Sequence, residues 1–162
     1  MSRGMLHLIV GLPGAGKTTL ARRLERELPA LRLTPDDWIG TLYGEPLAPG
    51  QLDAVRDPVE SVQWAVAERA LTLGLHVVLD FGFWTRGERE GFRARAATLG
   101  AGSRVHPLVL PIEELWARLE RRNAALPTHT FPISREQLET WWPLFEPPTA
   151  DELEIRPAAH TL

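Results

Sequence analysis

The sequence predicts an α/β fold in which helices cover both faces of a parallel β-sheet. Apolar runs of strand length alternate along the chain with segments whose apolar residues repeat at helical spacing, which is typical of a parallel sheet. A glycine-rich loop at residues 11–18 follows the first apolar run and precedes the first helical pattern. The length of 162 residues suits one domain, so we expect a single domain over residues 1–162.

The predicted elements have boundary signals of their own. The first strand covers residues 6–10, and the helix after the loop carries Leu20, Leu24 and Leu28 on one face before Pro29 ends it. Capping residues or an early proline predict later helix starts at Thr34, Asp57, Thr85, Pro111 and Ser134. Further strands are predicted at residues 31–33, 75–79, 105–110 and, at one edge, 153–156, with a loop at 43–50.

The helix that starts near Asp57 should bury one apolar face. Its apolar residues recur three or four positions apart, which places them on one side of a helix. The predicted buried face consists of Val59, Val62, Val66, Ala70 and Leu73.

The glycine-rich loop has the spacing G-x-x-x-x-G-K-[ST] of a P-loop. Its glycines let backbone N–H groups turn inward around phosphate oxygens. Lys17 would reach the β- and γ-phosphates, and the hydroxyl of Thr18 would ligate Mg²⁺. The sequence therefore predicts a P-loop NTPase-like fold that binds ATP and Mg²⁺, with the nucleotide held by Gly11, Pro13, Gly14, Ala15, Gly16, Lys17, Thr18 and Thr19.

Lys17 is the only lysine in the chain. Arginine supplies every other basic side chain, a bias that genomic composition would explain. The one exception lies where a phosphate-binding loop requires a lysine.

Acidic residues follow two of the predicted strands. Because ligands bind at the carboxyl ends of parallel strands, Asp36 is a candidate base for a substrate hydroxyl, with Asp37 beside it. Both could instead be acids that favour a helix start, and a capping role for Asp37 would leave Asp36 free. Asp80 ends an apolar strand in the manner of a Mg²⁺-binding Walker B acid, although it could also be an ordinary turn residue.

Three arginines lie near the end of the helix that begins at Pro111. Arg118 and Arg122 share a helix face and could bind phosphate oxygens of ATP when a lid at about residues 118–133 closes. Alternatively, they could simply stabilise the helix, because cations are favourable at any helix C-terminus. Trp84 closes an aromatic run, residues 81–84, that could wall a substrate pocket or simply pack in the core.

Composition excludes several classes of site. The net charge of −3 and the pI near 6.0 give no overall electrostatic signature of nucleic-acid binding, although they are compatible with a local basic patch, and cysteine is absent. No apolar run reaches membrane-spanning length, so with ATP as ligand we expect a cytoplasmic protein. The oligomeric state cannot be inferred from the sequence. The histidines show no metal-ligand spacing at His7, His76, His106, His129 and His160.

Taken together, the motifs resemble those of small P-loop kinases, a group that includes polynucleotide 5′-kinases, chloramphenicol phosphotransferases and gluconate-type kinases. The resemblance covers most of the chain. It rests on GLPGAGKTT at 11–19, TPDDW at 34–38, VVLDFGFW at 77–84, RLERRN at 118–123, FPIS at 131–134 and FEPPTADE at 145–152.

The resemblance implies that Asp36 is the acceptor base and that Arg122 is the lid cation. Polynucleotide kinases usually carry an arginine two residues beyond the second aspartate, where this chain has Ile39. That difference and the acidic net charge argue against a nucleic-acid substrate. We therefore expect an ATP-dependent kinase for a hydroxyl of a small molecule, such as an antibiotic or a sugar-like compound. The alternatives are a 5′-hydroxyl polynucleotide kinase and an ATP-dependent switch without an acceptor.

Overall fold

A four-stranded parallel sheet forms the centre of the protein. The structure is a computed structural model that describes residues 3–44 and 47–159. The sheet has the order β2-β3-β1-β4, and Leu8 in β1 lies opposite Leu79 in β3 and Val105 in β4. Its strands are β1 (Met5–Val10), β2 (Ala30–Leu33), β3 (His76–Gly82) and β4 (Gly102–Pro107).

Helices cover both faces of this sheet, which confirms the predicted fold class. Their bounds are α1 (Lys17–Glu27), α2 (Pro35–Tyr43), α3 (Pro49–Thr72), α4 (Arg86–Thr98), α5 (Ile112–Ala124) and α6 (Arg135–Trp141). Apolar residues of α1 pack on one face, and those of α3 and α4 pack on the other. A third cluster joins the glycine-rich loop to α5 and α6. No helix within the described ranges is long and apolar enough to cross a membrane.

Two strand boundaries differ from the prediction. β3 continues to Gly82, so Asp80 lies inside the strand and not at its end. β4 occupies residues 102–107, whereas the prediction was 105–110. Its pairing partner β1 ends at Val10, opposite Pro107, and the apolar residues beyond that point have no strand to pair with.

Helix α3 begins nine residues earlier than predicted, at Pro49 and not at Pro58. The side chain of Gln51 accepts a hydrogen bond of 3.0 Å from the backbone N–H of Ala48 and stabilises this earlier start. Pro58 therefore lies inside the helix, where it cannot donate to the carbonyl of Ala54. Proline is common in a first helical turn, and that preference made the prediction wrong.

The buried face of α3 also differs from the prediction. Val59 and Ala70 are buried as expected, but the side chains of Val62, Val66 and Leu73 are 56%, 38% and 55% exposed. The helix instead buries Gln63, Trp64, Ala67 and Leu71. Apolar residues occur on both sides of this helix, so their spacing alone did not identify the side that packs on the sheet.

Two buried arginines of α4, which the sequence did not reveal, hold the last described segment. Arg89 donates to both carboxylate oxygens of Glu152, at 2.7 and 3.1 Å, and to the carbonyl of Phe83 at 3.0 Å. Arg93 donates to the carbonyls of Glu152 and Glu154 at 2.6 and 2.7 Å. The predicted edge strand at 153–156 is therefore reduced to one antiparallel bridge beside β4, after a 3₁₀ turn at Ala150–Leu153.

Replacing Glu152 by alanine should destabilise the protein by about 3–5 kcal/mol, because the Arg89 charge would stay buried without its carboxylate partner. The free energy of unfolding in urea measures this effect. The adjacent Asp151 pairs with Arg86 at the surface, so Asp151→Ala is the matched control and should change stability little. Equal losses in the two variants would contradict the argument.

Three histidines form a row across neighbouring strands, on the face that α1 covers. The Nδ1 atom of His7 lies 2.9 Å from Nε2 of His106. The Nε2 atom of His7 lies 3.3 Å from Nδ1 of His76. Burial and the neighbouring side chains of His106, His76 and Arg104 lower the pKa of His7 to about 3. Burial, Arg104 and Arg23 lower the pKa of His106 to about 4. The rings of His7 and His106 are therefore neutral in the folded protein near neutral pH.

This row makes the folded protein sensitive to acid. The unfolded chain binds protons at His7 and His106 below about pH 6.5, whereas the folded protein does not until their lowered pKa values are reached, so stability falls as the pH falls below about 6.5. From about pH 7.5 to about pH 5, wild type should lose about 2 kcal/mol more unfolding free energy than His7→Phe.

The wild-type protein alone is not a sufficient test of this effect. Burial raises the pKa of Glu60 to about 7, so Glu60 stabilises the folded protein as the pH falls and opposes the histidines. The comparison of wild type with His7→Phe at each pH removes this contribution. Parallel pH profiles for the two proteins would overturn the prediction.

Candidate active site

The glycine-rich loop connects β1 to α1 in a geometry that requires glycine. Gly14 and Gly16 have φ values of +86° and +93°, which side chains rarely adopt. A Cβ atom on Gly14 would also lie 3.1 Å from the carbonyl oxygen of Leu115 in α5. The N–H of Gly11 donates to the carbonyl of Gly82, at 3.0 Å, and joins the loop to the end of β3. The loop leads into the N-terminus of α1, where free backbone N–H groups favour the binding of an anion.

Lys17 is the first residue of α1, and its ammonium group is held inside the loop. Its Nζ atom donates to the carbonyl of Leu12 at 3.0 Å. Burial lowers the pKa of Lys17, and the carboxylates of Asp80 and Asp36 oppose that shift. An anionic ligand in the loop would favour the charged ammonium in the same way.

The Thr18 hydroxyl and the Asp80 carboxylate meet beside the lysine. Thr18 Oγ1 donates to Asp80 Oδ2 at 2.8 Å, and Thr34 Oγ1 donates to the same oxygen at 3.1 Å. Burial raises the pKa of Asp80, whereas Lys17 and the two hydroxyl donors lower it. Hydroxyl and carboxylate oxygens suit Mg²⁺, which commonly takes one or two protein ligands together with phosphates and water. Among the described residues, no group of three or more His, Cys, Asp or Glu side chains is placed to hold a metal ion.

Asp37, at the start of α2, does not take the capping role that the sequence predicts. The helix begins at Pro35 as expected, but Thr34 bonds to Asp80 and Arg32 in place of the helix N–H groups. Asp37 accepts a hydrogen bond of 2.8 Å from Arg32. A guanidinium group close by in space is a stronger partner for this carboxylate than a backbone N–H.

Asp36 pairs with an arginine that the sequence analysis missed. The Nη2 atom of Arg56, in α3, donates to Asp36 Oδ1 at 2.7 Å. The prediction placed residue 56 before the helix, so no pattern connected it with α2. Ile39, where a polynucleotide kinase would carry arginine, is fully buried, and the cation beside Asp36 comes from α3 instead.

Both lid arginines lie toward the glycine-rich loop, at different depths. A Cβ atom built on Gly16 would lie 3.8 Å from Nη1 of Arg118, and Nη2 of the same arginine donates to Glu114 Oε1 at 3.1 Å on the surface. Arg122 is more buried, and its Nε atom has no hydrogen-bond partner in the described part of the chain. Burial lowers the pKa of Arg122, and the Asp36 carboxylate opposes that shift.

The aromatic run after Asp80 lies mainly in the core. Phe81 and Phe83 stack at 5.5 Å between ring centroids and join the cluster beneath α3 and α4. Trp84 packs against Trp141, with centroids 5.6 Å apart, in the cluster that contains Leu12 of the loop. Trp84 thus supports the glycine-rich loop, and a contact with substrate remains a hypothesis.

These features define a class, the P-loop nucleotide-binding fold of small kinases. The AAA domain family (AAA_33) matches residues 6–148, and the chain belongs to this family. A search of curated proteins finds no match to the chain.

Solved structures share the fold at low sequence identity. A chain of the Pnkp1/Rnl/Hen1 RNA repair complex is 22% identical, with a TM-score of 0.69, and the match covers 98% of this chain and 50% of that one. Kti12 of Chaetomium thermophilum, solved with ADP-AlF3, is 20% identical, with a TM-score of 0.67 and coverage of 89% and 81%. A gluconokinase of Sinorhizobium meliloti 1021 is 18% identical, with a TM-score of 0.56 and coverage of 98% and 83%.

This chain spans about half the length of the matched chain from the RNA repair complex. Identities this low establish a common fold and leave the substrate open.

Proposed function

We propose that the protein is an ATP-dependent kinase that transfers the γ-phosphoryl group to a hydroxyl of a small molecule, such as an antibiotic or a sugar-like compound. One observation supports this most strongly. The Asp36 carboxylate is close enough to Lys17, Asp80 and Arg122 to shift the pKa of each. The four side chains that we propose as base, phosphate-binding lysine, metal-binding acid and lid cation therefore lie near one another in space.

Each residue has a distinct task in this proposal. The loop N–H groups and Lys17 bind the ATP phosphates, and Thr18 and Asp80 are the residues that would hold Mg²⁺, which would neutralise charge on the phosphate oxygens. Asp36 orients the acceptor hydroxyl and accepts its proton as the oxygen attacks the γ-phosphorus, and the bond from that phosphorus to the β,γ-bridging oxygen breaks to release ADP. Arg118 and Arg122 stabilise the negative charge on the transferring group.

A nucleic-acid 5′-hydroxyl is the second candidate acceptor. Arg56 supplies a cation beside Asp36, and one neighbour in fold comes from an RNA repair complex. The net charge of −3 still favours a small acceptor.

Transfer from ATP labelled at the γ-phosphate tests these possibilities directly. The protein would be given a panel of aminoglycosides, sugars and amino alcohols, an RNA oligonucleotide with a 5′-hydroxyl, and a control without acceptor. Label on a small molecule supports the proposal, and label on the RNA alone replaces it with the second candidate. Slow hydrolysis that no compound accelerates would favour an ATP-dependent switch.

A further inference from the structure

The lid loop, residues 124–132, is closed at its base by one side chain. Asn123 donates from Nδ2 to the carbonyl of Ile133 at 2.7 Å, and its Oδ1 accepts from the Ile133 N–H at 3.2 Å. Arg122 donates to the carbonyl of Phe131 at 3.3 Å. The position of the lid loop is therefore tied to the arginine that faces Asp36.

The tip of this loop rests on α2 through His129. His129 has a φ value of +59°, and Phe83 is the only other described non-glycine residue with positive φ. Such a backbone is unfavourable for a side chain, so contacts elsewhere must compensate. The ring lies against Gly40, where a Cβ atom would be 2.5 Å from Cδ2, 2.8 Å from Cγ and 3.1 Å from Cβ of His129. Only glycine at position 40 allows this contact.

The same histidine approaches the acidic pair. Its Nδ1 atom lies 3.8 Å from Oδ1 of Asp37, the residue after the proposed base. Asp37 is itself fixed by Arg32 at 2.8 Å. His129 thus connects the lid loop to the helix that carries Asp36.

We propose that His129 and Gly40 form a latch that seats the lid loop on α2, and that His129 is a positioning residue for Arg122. This inference rests on the proposed function in one respect, that Arg122 acts on the transferring phosphoryl group. With the latch closed, the distance between α5, which carries Arg122, and α2, which carries Asp36, is fixed. With the latch open, Arg122 loses that alignment while the loop that binds ATP is unchanged.

Gly40→Ala is the decisive substitution, because its methyl group would occupy the place of the His129 ring. The ring atoms Cδ2 and Cγ, at 2.5 and 2.8 Å from the added methyl, must leave this position, which unseats the ring from α2. In a chain that also carries His129→Ala, the methyl meets only the Cβ atom at 3.1 Å, a contact that a shift of a few tenths of an ångström accommodates. The methyl should then raise Tm by about 1–4 °C, as expected for alanine in place of glycine in a helix.

The experiment compares wild type, Gly40→Ala, His129→Ala and the double variant. Gly91→Ala is the matched control, because Gly91 lies on α4 with open space around it. Hydrogen exchange of peptides covering residues 124–132 reports the latch without any assay of activity. Steady-state kinetics with the acceptor found by the labelled-ATP screen, or ATP hydrolysis if none is found, report its effect on turnover.

We expect exchange in the lid loop to be at least about tenfold faster in both single variants, and kcat to fall about tenfold or more with the KM for ATP unchanged. Adding His129→Ala to Gly40→Ala should return Tm to wild-type values or above, without restoring kcat. Unchanged lid exchange in Gly40→Ala would overturn the latch. Faster exchange with unchanged kcat would overturn the positioning role, and an inactive wild type would count against the proposed function alone.

Discussion

Lys17→Ala is expected to lower phosphoryl transfer at least about a thousandfold, to the background rate. The Lys17 ammonium is held inside the loop by the Leu12 carbonyl, where it would contact the phosphates. No other lysine exists in the chain to replace it. Transfer of labelled phosphate and ATP affinity by calorimetry would both be measured, and both should fall.

The control for this variant is Arg22→Ala, which removes an exposed cation from the same helix. Its activity should match wild type, which separates the loss of one phosphate contact from a general change in charge. Wild-type activity in Lys17→Ala would contradict both the nucleotide site and the proposed reaction.

Asp36→Asn should reduce kcat by about a hundredfold to ten-thousandfold and leave ATP affinity nearly unchanged. The amide keeps the shape of the carboxylate and can still accept the hydrogen bond from Arg56, but it cannot take a proton at neutral pH. Single-turnover transfer and calorimetric titration with a nonhydrolysable ATP analogue would measure the two quantities separately.

Asp37→Asn tests which member of the acidic pair is the base. Asp37 is held by Arg32, so we expect its amide variant to keep kcat within about tenfold of wild type. A fully active Asp36→Asn, or a greater loss in Asp37→Asn, would remove the base from Asp36.

Local signals in the sequence predicted most of the fold correctly. The loop glycines, Pro35, Thr85 and Ser134 act within one or two turns of chain, and α1, α2, α4 and α6 begin where these residues predict. Among the helices, the errors lie in α3. Pro58 is compatible with a helix start and with a helix interior, and the packing of Trp64 on the sheet decided between them.

The sequence predicted the candidate site only for residues that the pairing of neighbouring parallel strands brings together. Thr18 follows β1, and Asp80 belongs to the adjacent β3, so parallel pairing of these strands brings the two side chains into contact. The pairing of Arg56 with Asp36 and the seating of His129 on Gly40 join elements that are distant in sequence. No spacing rule connects such residues, because their proximity depends on how α3 and the lid loop pack.

The segment held by Arg89 and Arg93 also protects the sheet from other chains. β4 is an edge strand, and Ser103 and Arg156 exchange backbone hydrogen bonds of 2.8 and 3.0 Å along it. The bridge occupies the start of this edge, and a foreign strand cannot pair there. The opposite edge strand, β2, has only four residues, and short edge strands disfavour pairing with another molecule. A bridged β4 and a short β2 thus both limit intermolecular β-aggregation.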